Sequence, residues 1–581
     1  MKWIKALFLG KGRTVPGTAR FSFPIRIFSI LCFALLFVWP TLRLVALGFT
    51  SEKGLTLANY QKILHDPYTW RVVWNTMMIS VGSTAIAFVL GLFFAWMVAY
   101  VNIRGKKWMQ VFIVLPFVIP SYITTLAWTQ LFSENGLVAR ALALLSIQGH
   151  PWNLYSYTGM IFILGLTHYP LVYLFTVNVL RQIPREMEQA CRASGGSKVT
   201  TFFRVTLPMA LPGIVSGTFL AFLASLDNFG IPAFLGIPAH ISVLSTHIYQ
   251  QIIGFGPDAF ASASVFSVLL GGLALLGMLC QWLFQRRMKA TETSVADREP
   301  RYFPARMPKV LVESGIWLFF LVTACIPFAA MMITSLLPAY GLEFTLQHLS
   351  LQNYRFVLLE SPDTQMAIRN SLRLAAVTTV IGAVIGTFFA YLQIRRPSRL
   401  LKISELFIGL PYALPGTVMA LSMIFVWMEP IPGWNPGIYG STLILFIAYF
   451  TRFLILQVRG STTAVLQVDV SMEEAAQVSG ASWWQKWRKI LIPLLLPGIL
   501  NGAGLVFLTA LTELTVSALL YSAQSKTISV VIFSYEQAGY TTYSTAFSSL
   551  IIILLIIGFA GLSMIHFFWK RKVGVHHVDL H

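Results

Sequence analysis

The sequence predicts an all-α integral membrane protein, with twelve transmembrane helices arranged as two homologous six-helix halves and both termini in the cytoplasm. Three observations carry that prediction. Only 11% of the 581 residues are charged while 56% are hydrophobic, against roughly 25% charged in an ordinary soluble domain. That is too little charge to cover the several domains a soluble chain of this length would form. The apolar residues come in blocks of about 20 or more, the length a helix needs to cross ~30 Å of hydrocarbon at about 1.5 Å per residue. The basic residues, finally, gather on every second loop.

The blocks lie at residues 25–48, 72–100, 109–132, 156–180, 208–230, 262–285, 311–336, 370–393, 404–428, 438–459, 493–522 and 545–569. The first follows Lys2, Lys5, Lys11, Arg13, Arg20 and Arg26, a basic start that a signal peptide shares. It is too long for one and no small-residue cleavage site follows it, so it is kept as the first span. With the N-terminus inside, the cytoplasmic segments are the N-terminal stretch, Arg104–Lys107, Arg181–Arg204, Arg286–Lys309, Arg395–Lys402, Arg452–Lys489 and Lys570–Lys572, and they hold most of the 42 Lys and Arg residues. This positive-inside bias sets an N-in, C-in topology in a membrane, surrounded by lipid.

The same distribution explains the formal charge of +20 without a nucleic-acid partner. The basic residues are divided among separate loops and form no long stripe with interleaved aromatics. Cys32, Cys191, Cys280 and Cys325 show neither CxxC nor metal-ligand spacing, so no disulfide framework or metal site is expected.

The halves are visible as a repeat. Leu115-Pro116-Phe117-Val118-Ile119-Pro120 returns as Leu410-Pro411-Tyr412-Ala413-Leu414-Pro415, and Gly91-Leu92-Phe93-Phe94-Ala95 as Gly386-Thr387-Phe388-Phe389-Ala390, both at an offset of 295. Leu207-Pro208-Met209-Ala210-Leu211-Pro212-Gly213-Ile214 matches Ile492-Pro493-Leu494-Leu495-Leu496-Pro497-Gly498-Ile499 at an offset of 285. The slip falls in the outer loop at 132–156, which is longer than its counterpart at 429–440. Six spans per half in the same orientation imply halves related by an axis along the membrane normal. The division is a first half at 1–285, a short charged cytoplasmic linker at 286–308 and a second half at 309–581.

Between the fourth and fifth spans of each half lies a cytoplasmic loop, at about 181–207 and 460–492, and it is the best-matched part of the repeat. The second copy contains Ser471-Met472-Glu473-Glu474-Ala475-Ala476-Gln477-Val478-Ser479-Gly480. Ser471 and Glu474 have capping-box spacing, which starts a helix with acidic residues in its first turn, and Gly480 supplies a stop. Ala475 and Ala476 allow close approach to another surface, and the carboxylates suit basic groups there. Leu491–Pro493 then breaks the path as the chain re-enters the bilayer. The first copy runs Glu188-Gln189-Ala190-Cys191-Arg192-Ala193-Ser194-Gly195 and continues to Leu207-Pro208. The competing reading is two amphipathic helices that merely cap the bundle.

Here the sequence resembles the permeases of ABC importers, whose loop signature is Glu-Ala-Ala, a Gly four residues after the second Ala, and a Leu-Pro-like end. Glu474, Ala475, Ala476, Gly480 and Pro493 match in the second half, and Ala190, Gly195 and Pro208 in the first, which departs at Gln189 and Cys191. The resemblance covers nearly the whole chain and implies type I ABC permease halves. It implies further that Glu188, Gln189, Ala190, Gly195, Glu473, Glu474, Ala475, Ala476 and Gly480 form two coupling helices, unequal in strength, that dock on a cytoplasmic ABC ATPase dimer. No Gly-x-x-x-x-Gly-Lys-Ser/Thr occurs in the chain, so ATP-Mg belongs to that partner. The chain itself is then a transport subunit, not an enzyme, with no cofactor of its own.

Charges inside spans are costly and therefore informative. Asp227 and Glu513 lie at near-equivalent distances beyond Pro208 and Pro493, in the outer part of their spans. Together with Asn228 they either line the translocation path, facing one another across the axis and favouring a cationic or metal-bearing cargo, or are helix-end groups satisfied by water or a neighbouring Arg. Arg43 reads as a snorkelling side chain. His240 and His247, seven apart, read as loop-packing residues rather than ligands, although the spacing suits one helical face. The string Asp227-Asn228-Phe229-Gly230-Ile231-Pro232 resembles fused permeases of the ferric-iron group. Related permeases carry thiamine, polyamines, phosphonates or sulfate, and in all of them an extracytoplasmic substrate-binding protein largely chooses the cargo.

A proton-coupled secondary transporter of the major facilitator type also has six plus six spans and a central linker. Its basic motif belongs between spans two and three, where this chain has only Val101-Asn102-Ile103-Arg104-Gly105-Lys106-Lys107. No nucleophile or His/Asp/Glu constellation suggests a membrane enzyme.

Overall fold

The computed structural model describes residues 31–51, 54–146, 152–254, 259–286, 297–342, 345–428 and 437–572. Ten helices among them are long and apolar enough to cross a membrane, and two bent helix pairs bring the total to as many as twelve. In the first half these are α1 (Leu31–Gly48), α2 (Pro67–Tyr100), the pair α3 (Lys106–Val118) and α4 (Ser121–Leu131), α5 (Tyr157–Gln182), then, after a short helix α6 (Arg185–Ala193), α7 (Lys198–Asp227). An outer helix α8 (Leu244–Ile253) leads to α9 (Ala259–Arg286). The second half repeats the order: α10 (Arg306–Ser335), α11 (Pro362–Arg395), the pair α12 (Arg399–Ala413) and α13 (Gly416–Trp427), α14 (Thr442–Gln467), α15 (Val470–Val478), α16 (Trp483–Leu511), α17 (Ile528–Gln537) and α18 (Thr541–Lys572). A two-residue hairpin, Thr50–Ser51 with Gly54–Leu55, is the one sheet among the described residues.

Two expectations are corrected. The third and ninth spans are not straight: α3 and α4 meet at 100° and α12 and α13 at 109°. The cause is the repeated Pro. A residue before proline is pushed out of the α region, and Ile119 and Leu414 take φ −77°, ψ 130° and φ −76°, ψ 144°. After the bend every residue of α13, and every residue of α4 after Ser121, is buried, so each forms a half-helix enclosed by the rest of the bundle. The second correction concerns Pro208 and Pro493, which do not break the chain. A five-residue π-turn precedes each, Phe202–Thr206 and Trp487–Leu491, and the helix continues through it. The wider turn accommodates a ring that lacks an N–H and would crowd the carbonyl four residues back.

Within each half the second, fourth and fifth spans pack as a triple, α2 with α5 and α7, and α11 with α14 and α16. The repeated glycines allow this. A Cβ on Gly91 would lie 2.5 Å from Val172 Cβ, and one on Gly386 2.8 Å from Gln457 Cγ, so these helices touch at backbone distance. The first spans cross over. Phe37 of α1 joins a cluster with Ile408, Phe450 and Leu454 of the second half, while Ile316 and Phe320 of α10 complete the first half's core beside Phe94, Met109 and Ile113.

Candidate functional site

The cytoplasmic loops fold as the sequence suggests, with one change at their start. Helix α15 begins at Val470, and its cap is Asp469, whose carboxylate accepts from Ser471 N at 2.9 Å; the capping box from Ser471 to Glu474 does not form. Both helices end on the expected glycine. Gly195 and Gly480 have φ +87° and +73°, and each closes a Schellman motif: Gly195 N to Arg192 O and Gly196 N to Cys191 O in α6, Gly480 N to Gln477 O and Ala481 N to Ala476 O in α15. A left-handed residue is required there, which favours glycine.

The two helices each present two faces. Gln189, Ala190, Glu474 and Ala475 are exposed, flanked by apolar Met187, Met472 and Val478 at 50%, 47% and 90% exposure. Both helices thus carry exposed apolar side chains beside their exposed polar and small residues. Glu188, Glu473 and Ala476 face inward and are buried. These two glutamates, which sequence reasoning grouped with the docking residues, are ion-paired within the chain.

Glu473 is bound from three sides of its own half. Tyr391 donates to Oε2 at 2.6 Å, Arg395 Nε to Oε1 at 2.7 Å and Lys486 Nζ to Oε2 at 3.0 Å. Burial opposes ionisation of this carboxyl, but the hydrogen bonds from Tyr391, Arg395 and Lys486 outweigh it and hold the group below its usual range. Arg395 also donates through Nη2 to Val468 O at 2.6 Å. Glu188, its counterpart at an offset of 285, accepts from Tyr100 OH at 3.0 Å and Thr206 Oγ1 at 2.6 Å, and pairs with Arg301 Nη1 at 3.1 Å.

Deeper in the bundle, the half-helices meet the charged residues of the spans. Asp227 ends α7 and lies against the N-terminus of α13, where Gly416 N donates to its Oδ1 at 2.5 Å and the helix dipole favours an anion. Its Oδ2 pairs with Arg452 Nη2 at 2.9 Å, and that guanidinium is 6% exposed. Gly416 has no room for a side chain, since a Cβ would sit 3.1 Å from Arg452 Nη1 and 2.7 Å from Thr515 Cγ2. Glu513 accepts from Val516 N at 2.8 Å, and Asn228 likewise accepts from Ile231 N at 3.0 Å.

These last two residues are the true repeats of one another, at an offset of 285, whereas Asp227 corresponds to Thr512. Asp227 and Glu513 are therefore not a symmetric pair. Arg452 stands beside both. It belongs to α14 and not to the cytoplasmic segment in which the loop count placed it. A buried arginine in span 438–459 was visible in the sequence as an in-span charge, and it was missed by being counted with the loop. His240 and His247 do not share a helical face. His240 is exposed and precedes α8, while His247 is buried with its ring 4.5 Å from that of Phe266.

The chain matches the family model described as binding-protein-dependent transport system inner membrane component twice, at residues 87–290 and 382–572. It is 25% identical over 511 residues to the putative ferric transport system permease protein FbpB 1 of Haemophilus influenzae, covering 86% of this chain and 78% of that one. It is 24% identical over 526 residues to the ferric transport system permease protein FbpB of Actinobacillus pleuropneumoniae, covering 89% and 74%. The molybdenum transport system permease protein ModB of Escherichia coli is 29% identical over 228 residues, 38% of this chain but 95% of that one. Among solved structures, a chain of a bacterial alginate ABC transporter in complex with a periplasmic protein carrying an alginate pentasaccharide aligns over 47% of this chain and 96% of its own, with a TM-score of 0.40 and 17% identity.

Proposed function

This chain belongs to the family of binding-protein-dependent transport system inner membrane components and is a multi-pass permease of an ABC importer, and we propose that its cargo is ferric iron, delivered by an extracytoplasmic binding protein. The observation that supports iron is the pair of ferric permease relatives, each matched over most of both chains. The string from Asp227 to Pro232 points the same way.

In this reading the exposed faces of α6 and α15 dock on a cytoplasmic ATPase dimer, which binds ATP-Mg and performs the hydrolysis. Closure of that dimer moves the two helices, and the movement passes along α7 and α16 to the half-helices at the centre. The Asp227–Arg452 pair bridges the first half to the second, from the end of α7 to α14 and beside the start of α13. It is the contact that must rearrange when the passage opens, because a charged pair of this kind is held only while both partners stay in place. Asp227, Asn228 and Glu513 lie along the passage in this reading, with their oxygens held by Arg452, Gly416 N, Ile231 N and Val516 N in this state.

The test is uptake of radiolabelled ferric iron into vesicles containing the chain, its ATP-binding subunit and its binding protein. Iron uptake that needs internal ATP, survives collapse of the proton gradient and is not displaced by excess sulfate, molybdate, phosphonate, polyamine or thiamine is the expected outcome. Competition by any one of these would reassign the cargo, and dependence on the proton gradient with ATP held constant would remove the ABC mechanism.

A further inference from the structure

The two buried glutamates are held by the same chemistry from different parts of the chain. In the second half the arginine is Arg395, the last residue of α11, bonded to both Glu473 and the Val468 carbonyl. At the same place in the repeat, 295 residues earlier, the first half has Tyr100, which cannot supply the charge. The guanidinium there comes from Arg301, beyond the end of the first half. It pairs with Glu188 at 3.1 Å and donates to the Ile183 carbonyl at 2.5 Å, and Ile183 is the repeat of Val468. Arg301 thus makes both contacts of Arg395, with its guanidinium 4.6 Å from the centre of the Tyr100 ring and only 7% exposed.

The segment around Arg301 is laid down as a strap. Arg301 N and Tyr302 N donate to Tyr100 O, and Asn102 N donates to Tyr302 O. Asp297 N donates to Arg181 O, and the Asp297 carboxylate receives Arg185 Nε at 2.5 Å and Nη2 at 3.1 Å. Arg185 is the first residue of α6, so the strap holds that helix at its start and again at Glu188. The Arg185 hydrogen bond holds the Asp297 carboxyl below its usual range. On the other side the strap runs directly into α10 of the second half.

We infer that residues 297–302 are a positioning strap that replaces, for the first coupling helix, the arginine its own half lacks, and so ties the setting of α6 to the second half of the permease. Its effect on ATP coupling rests on the reading of α6 and α15 as coupling helices; its hold on α6 does not. The linker is thereby a working part of the first loop, with Arg301 and Asp297 as positioning residues.

The test is hydrogen exchange on the full chain in lipid nanodiscs, together with ATP hydrolysis by the co-purified ATP-binding subunit with and without its binding protein. Arg301→Ala is expected to speed exchange over Arg185–Gly196 by about tenfold or more while leaving Val470–Gly480 unchanged, and to abolish the stimulation of hydrolysis by the binding protein. Adding Tyr100→Arg, which returns the arginine to its place in the repeat, is expected to restore both. Should Arg301→Ala fail to accumulate, Arg301→Lys keeps the charge without the two-oxygen reach, and a smaller acceleration confined to the same segment is expected. Unchanged exchange over Arg185–Gly196 in these variants overturns the strap. Faster exchange with stimulation intact supports the strap's hold on α6 and overturns the coupling role of that helix instead.

Discussion

The loop that carries α15 is self-sufficient and the loop that carries α6 is not. Glu473 finds Tyr391, Arg395 and Lys486 within its own half, whereas Glu188 finds Tyr100 and Thr206 nearby and pairs, among the described residues, with one cation, Arg301 of the linker. The glutamate, its inward orientation and the carbonyl beside it are the same in both. What differs is where the positive charge is attached. A duplicated protein has two copies of each function, and a residue can leave one copy once another segment reaches the same place with the same group. The repeat of a side chain's position and the repeat of its role are therefore separate matters.

The largest effect should come from removing the two glutamates one at a time. Glu473→Ala leaves Arg395 and Lys486 buried at 13% and 9% exposure without their carboxylate, an uncompensated charge that costs about 3–5 kcal/mol. Glu188→Ala leaves one cation, and Arg301 still has Asp297 at 3.4 Å and the Ile183 carbonyl, so about 1.5–3 kcal/mol is expected. Thermal unfolding of the detergent-solubilised permease, with hydrogen exchange to locate the damage, should rank Glu473→Ala as the more severe. The reverse ranking would break the contrast between the loops.

A smaller and equal effect is expected at the helix stops. Gly195→Ala and Gly480→Ala each place a Cβ on a left-handed residue, at about 1–2 kcal/mol, and because neither glycine has another atom within 4 Å of that Cβ the cost is purely conformational. Equal losses in the two loops would confine the asymmetry to the charged contacts. Markedly unequal ones would mean the helices differ in more than their arginine.

The smallest effect is that of pH. Glu473 and Asp297 both have carboxyls held below their usual range, so each stabilises its loop fully above the unfolded carboxylate range of about 4 and loses that contribution as pH falls through the lower, folded value. Protection factors over both loops, which divide out the intrinsic pH dependence of amide exchange, should be flat from about pH 7 to 5 and should fall only in stronger acid. A fall in protection between pH 7 and 5 in either loop would point to a group other than these two.

Much of this architecture is legible in the sequence because it follows from repetition and from water. The offsets of 295 and 285, the positive loops and the glycine stops are local or periodic signals, and they point to the halves, the membrane spans and the two glycine-stopped helices α6 and α15. The half-helices were legible in principle, since Pro120 and Pro415 bias the residues before them away from the helix, but an unbroken apolar block hides a bend that hydropathy does not register. Arg452 sits in α14 at the edge of a basic stretch, so its charge reads as part of the loop. Arg301 had no signal of its own: it lies outside the repeat, so no offset leads to it, and only the folded chain brings it to Glu188. The nearest hint was negative, the tyrosine at position 100 where the second half has Arg395.

The crossed first spans have a consequence for how the protein is made. Ile316 and Phe320 complete the core around Phe94, Met109 and Ile113, yet they are synthesised after the whole first half. At about 5–20 residues per second, the first six spans wait in the bilayer with an open seam until α10 arrives to close it, and α1 waits far longer for Ile408 and Phe450. Joining both halves in one chain places the closing helix next to the seam it fills, in one copy and in order.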